Sequence, residues 1–69
     1  MIEPAAMQVR LTASEGNGEA IFVVIDETRH EQWNVIIIHS TDWYARTFPP
    51  GTCGAWDTKW LRSNTVVIA

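Results

Sequence analysis

The pattern of apolar positions changes character along the chain. Between residues 7 and 13 it alternates strictly, with Met7, Val9, Leu11 and Ala13 pointing one way and Gln8, Arg10 and Thr12 the other. A period of two marks a strand with one buried and one solvated face. This stretch therefore predicts a first strand with its Met7, Val9 and Leu11 side on the core. In residues 20–26 both alternating sets are apolar, Ile21, Val23 and Ile25 against Ala20, Phe22 and Val24. Residues 33–40 repeat the pattern with Trp33, Val35 and Ile37 against Ile36 and Ile38. Strands of this kind belong in the middle of a sheet covered on both sides. The polar run ETRHEQ, residues 27–32, joins them as the connector of a hairpin. Ahead of them, Asn17-Gly18 supplies the positive φ values of a tight turn, so the first strand should run antiparallel to the second.

The second half of the chain is less regular. Residues 42–48, DWYARTF, read as a fourth, shorter strand with Trp43 on one face and Tyr44 and Phe48 on the other. Pro49 and Pro50 stop it, and Pro50-Gly51 suits the centre of a type II turn. Residues 56–64, WDTKWLRSN, admit two readings. As a helical turn, Asp57 caps it, Trp56 and Trp60 share a face, Arg62 lies near its negative end and Asn64 takes the left-handed terminal conformation. As a strand, Trp56, Thr58 and Trp60 line one face. The short helical turn, over 56–62, is the preferred reading. The closing TVVIA predicts a last strand that ties the C-terminus into the sheet, while residues 1–5, with Pro4, predict a loose lead-in. The expected fold is a single domain, 1–69, mainly β: a small antiparallel sheet or partly open barrel of four to five strands with one short helical turn near the C-terminus.

Length sharpens one point. A chain of 69 residues buries only about 60% of the surface its unfolded form exposes, so its core is thin. Two strands that are apolar on both faces then exceed what one copy covers, and a homo-oligomer is expected. Charge narrows the partners. The net charge is −3 and the five cationic residues, Arg10, Arg29, Arg46, Lys59 and Arg62, are scattered, which argues against nucleic acid. The single cysteine, Cys53, excludes an internal disulfide framework and fits a reducing cytosol. The N-terminus carries Glu3 and Pro4 where a signal peptide has positive charge and an apolar run, and no stretch reaches the ~18 apolar residues of a membrane span. A cytoplasmic protein away from the membrane is expected.

Candidate chemistry is sparse. Cys53 in a loop with His39 or His30 as a base is the minimum for nucleophilic catalysis, but any chain with one Cys and two His offers as much. Asp26, Glu27, His30 and Glu31 crowd one connector, and its simpler reading is a solvated loop rather than a metal site. His39 falls, by alternation, on the face of Trp33, Val35 and Ile37. There is no P-loop, dinucleotide-binding glycine fingerprint, nucleophile elbow or H-E-x-x-H. No cofactor or metal is expected, and no catalytic residue.

The aromatic residues carry more information. Four tryptophans in so short a chain, concentrated after residue 32, either build the thin core or form an interaction surface. Trp43, Tyr44, Phe48, Trp56 and Trp60 are the candidate binding residues. The expected function is that of a non-catalytic protein-interaction module, regulatory, inhibitory or involved in assembly, of the kind bacterial and phage accessory proteins supply. The alternative is a domain that binds a small ligand, glycan or nucleobase on the same Trp and Tyr platform.

Overall fold

A computed structural model describes residues 3–13, 16 and 18–69. Over these residues the chain forms β1 (Val9–Thr12), β2 (Ala20–Arg29), β3 (Gln32–Ser40), α1 (Asp42–Thr47), β4 (Cys53–Asp57), α2 (Thr58–Asn64) and β5 (Thr65–Val67). The strands make one open antiparallel sheet in the order β4-β3-β2-β1-β5. The mainly β expectation holds, and so does the central place of the β2–β3 hairpin.

The hairpin is longer and tighter than the polar connector implies. Arg29 pairs with Gln32, leaving His30 and Glu31 at the tip, where Glu31 takes φ 60°. The polar residues before the tip remain extended because the arms overrun β1, whose hydrogen bonds to β2 end at Val24. Solvent reaches them there, so polarity and strand geometry do not conflict. The β1–β2 turn includes Gly18 at φ +79°, as a tight turn requires; Asn17 lies outside the described residues. A Cβ on Gly18 would collide with the Thr41 carbonyl oxygen, which reserves the position for glycine.

Three expectations need correction. Residues 42–47 form α1 rather than a fourth strand. Tyr44 and Phe48 lie four apart, a spacing that satisfies a period of two and a helical turn equally. The place beside β3 is taken by β4, and Pro49 ends the helical segment at Phe48, whose N–H bonds the Tyr44 carbonyl at 2.6 Å. Pro50-Gly51 then turns as predicted, with Gly51 at φ +93° and Thr52 N–H bonding Pro49 O at 3.0 Å.

The second correction concerns β1, whose faces are reversed. Arg10 and Thr12 are 1% and 4% exposed on the helix-covered face, while Val9 and Leu11 lie half-buried on the other. Partners make the burial tolerable. Arg10 donates to Gln8 Oε1 at 3.0 Å, Leu61 O at 3.2 Å and Thr65 Oγ1 at 2.9 Å, and Thr12 Oγ1 accepts from Ala20 N–H at 2.9 Å. A guanidinium at the C-terminal turn of α2 meets carbonyls that the helix cannot bond itself. Burial still lowers the Arg10 pKa, with the Glu3 carboxylate opposing the shift.

The third lies in the C-terminal third. Helix α2 begins at Thr58, so Trp56 belongs to β4, and Asp57 occupies the N-cap position in extended conformation without a side-chain capping bond. Asn64 is not left-handed; its amide donates to the Trp60 carbonyl at 3.2 Å. Arg62 sits in the last turn as expected. It also pins the lead-in: Arg62 holds Glu3 through two bonds of 2.8 and 2.6 Å, and Gln8 bonds Ala5 N–H and Glu3 O. Residues 3–5 are therefore tethered rather than loose. The C-terminus is tied down as predicted, with Val9 N–H bonding Ala69 O and Ile68 N–H bonding Val9 O.

The core lies on one face of the sheet. Phe22, Val24, Val35, Ile37 and Leu61 are 0–1% exposed, with Trp33, Phe48, Trp56 and Trp60 packed around them. The opposite face is aliphatic across β5, β1, β2 and β3, and stays partly open: Ile25, Ile38, Val66 and Ile68 are 41–50% exposed.

Candidate functional site

The aromatic residues singled out from the sequence converge at the β4 end of the sheet. Strand alternation turns Trp56 towards the core, where its ring meets Phe22 edge-on at 4.7 Å. Phe48, held just past α1, packs against Trp56 at 5.5 Å, and Trp60, on the first turns of α2, packs against it at 4.9 Å. Trp43 closes the set on the α1 side, 5.1 Å from Tyr44 and 6.0 Å from Phe48. Edge-to-face pairs at these separations add ring–ring attraction to burial, so each ring fixes the next. The network runs from the buried Phe22 outward to Trp43, which is 42% exposed.

These rings line an open groove of about 620 Å³ that takes in Trp43, Tyr44, Phe48, Trp56 and Trp60. All five predicted residues are thus brought together, with unequal roles. Tyr44 is 5% exposed and belongs to the base, Phe48, Trp56 and Trp60 are half-buried walls, and Trp43 offers the most surface. Trp33 stands apart, its indole N–H bonded to Thr58 Oγ1 at 3.0 Å.

A polar rim comes from Gln32, Asp57 and Asn64, none of which the sequence pattern singles out as a site. Gln32 and Asp57 meet because the β3–β4 register places them opposite each other, information that no local window contains. The same register orients the backbone. Ile37 N–H bonds Thr52 O and Thr58 N–H bonds Glu31 O, so antiparallel alternation turns the peptide groups of Trp56 and Gly54 towards β3. Those of Ala55 then face away from the sheet, at the groove.

The other candidates do not assemble. Cys53 is exposed on β4 opposite Ile36, His30 sits at the hairpin tip, and no hydrogen bond links the thiol to either histidine among the described residues. His39 leaves the face expected of it. A register shift between Ile21 and Phe22 sets His39 opposite Ile21, on the open aliphatic side. Of the connector carboxylates, Asp26 accepts from the Asn34 amide at 2.8 Å, and Glu31 lies 3.9 Å from His30 in full solvent. Among the described residues, no three His, Cys, Asp or Glu side chains gather closely enough to hold a metal ion. Nor is any helix among them long and apolar enough to cross a membrane.

The bidentate bond from Arg62 holds Glu3 below the usual carboxylate range and raises Arg62 in return. Compared with protein-family models, curated proteins and solved structures, the chain has no match.

Proposed function

We propose that this chain is a non-catalytic protein-interaction module, regulatory, inhibitory or assembling, that docks a protein partner through the aromatic groove at the β4 edge. The observation that carries the reading is Trp43: a large ring 42% exposed, resting on Phe48 and Tyr44, which are fixed by their own neighbours. Rigid Trp and Tyr surfaces of this type bury much area at little entropic cost, which is why they recur at binding hot spots. The outward peptide group of Ala55 gives an extended partner segment a hydrogen-bonding edge beside the rings. A reducing cytosol suits the single exposed thiol of Cys53.

The test uses the native host. Affinity capture with the wild-type chain and with Trp43→Asp, read by mass spectrometry, should return a protein that the variant loses while its far-UV spectrum is unchanged. Equal recovery by both would overturn the reading. A second reading is favoured by the rim, since amides and a carboxylate beside aromatic walls also suit a sugar or nucleobase in a groove of small-ligand size. Saturable quenching of Trp fluorescence by glycans or nucleotides would select it.

A further inference from the structure

The strongest unassigned feature is the aliphatic face opposite the helices. The cross-strand pair Val23 and Ile36 forms its centre, and Leu11 pairs with Val66 towards the β5 edge. Two register shifts enlarge it. Where two residues of one strand oppose a single residue of the other, Ile38 joins His39 opposite Ile21, and Ile25 joins Asp26 opposite Asn34. Ile25 and Ile38 are 41% and 50% exposed as a result.

We infer that this face is the interface of a homodimer, in which two copies pack sheet against sheet about a twofold axis. Composition argues for a second copy over a different partner. The centre is Ile, Val and Leu without a Trp, Tyr or Arg anchor, the make-up of interfaces that resemble a core cut in half. A twisted sheet is also shaped to receive another sheet of the same hand, crossing at about −30°.

Area completes the argument. With strands ~4.8 Å apart and same-face residues ~6.8 Å apart along each strand, the patch covers on the order of 400 Å² in projection. Side-chain relief makes the accessible area larger than this footprint, so two copies approach the ~1,200 Å² at which specific interfaces begin. Association should be reversible, in the micromolar range. The hairpin end of the face carries both an anion and a cation, Asp26 and Arg29, opposite Asn34 and Gln32.

Sedimentation velocity between roughly 1 μM and 1 mM tests the inference. The expected result is a concentration-dependent shift from the 7.8 kDa monomer to twice that mass and no further. Ile38→Lys, at an exposed position, should raise the dissociation constant at least tenfold with an unchanged near-UV spectrum, and Trp43→Ala should leave it within twofold. A monomer throughout the range overturns the proposal, as does growth beyond the dimer. Loss of the dimer in Trp43→Ala but not in Ile38→Lys also overturns it and puts the contact at the aromatic groove. Should Ile38→Lys unfold, isotope-filtered nuclear Overhauser spectra of mixed labelled and unlabelled wild-type protein decide. Contacts between Val23 and Ile36 methyls of different copies support the interface, and their absence overturns it.

Discussion

The two faces of the sheet are written in equally apolar residues, yet they meet different surroundings. On one, Phe22, Val24, Val35 and Ile37 lie beneath α2 and the ring network and are lost to solvent. On the other, Ile21, Val23 and Ile36 alternate with them in sequence and remain partly open. The difference is one of cover. Both α1 and α2 bring their buried residues, Tyr44 and Leu61, to the same side. Apolar character thus marks what a strand is able to bury, while the connections decide which half of it is buried within the chain.

The sharpest way to break the contrast is to truncate neighbours that face opposite ways. Phe22→Ala should cost about 3–5 kcal/mol, the usual range for a fully buried aromatic. A chain of this length commands only ~3–10 kcal/mol in all. The variant should therefore be largely unfolded at 25 °C, or melt at much lower urea. Val23→Ala, one residue on, should cost about 1 kcal/mol in the monomer, since its half-buried side chain leaves no enclosed cavity. Equal urea midpoints for the two variants would remove the distinction between the faces.

Arg10 tests the covered face from its polar side. Removing the guanidinium in Arg10→Ala leaves the Leu61 carbonyl and Thr65 hydroxyl without that donor and opens a void, for an expected loss of about 2–4 kcal/mol. Arg10→Met keeps most of the volume and should recover at least half of it. If both variants lose the same stability, hydrogen bonding rather than packing holds β1 to α2. Within the ring network, Trp56→Ala should cost about 3 kcal/mol and Trp43→Ala under about 1.5 kcal/mol, because the first contacts Phe22, Phe48 and Trp60 and the second closes the outer end. Thermal melts of the two variants measure the step between core and surface.

Much of this was legible from residue order, and the misses share a cause. The two-sided apolar runs located β2 and β3, Pro50-Gly51 located a turn, and Trp43, Tyr44, Phe48, Trp56 and Trp60 were recognisable as one set. Alternation in β1 was equally clear, but its sense was reversed, because a buried arginine is acceptable only where carbonyl and hydroxyl acceptors converge from α2 and β5, 51 and 55 residues away in sequence. His39 changed faces for a related reason: a register shift is a property of the pair of strands and leaves no mark on either alone. The rim of the groove, Gln32 with Asp57, likewise exists through register. What the local pattern specifies is periodicity, and what it omits is the partner.

The smallest expected effect concerns the tether of the lead-in to α2. Arg62, by its two bonds, holds the Glu3 carboxyl below its ordinary value of 4.5, so the folded state binds a proton there less readily than the unfolded chain. A lowered folded pKa stabilises above the unfolded value and ceases to as pH falls through the folded one. Wild type should therefore exceed Glu3→Gln in melting temperature at pH 7, with the gap closing below about pH 4.5. The pair is solvent-exposed, so 0.5 M salt should shrink the gap at neutral pH as well. A gap that survives both acid and salt would mean that residues 3–5 are held by packing, with Pro4 already buried, and that the cover over the first face extends further towards the N-terminus than α2 itself.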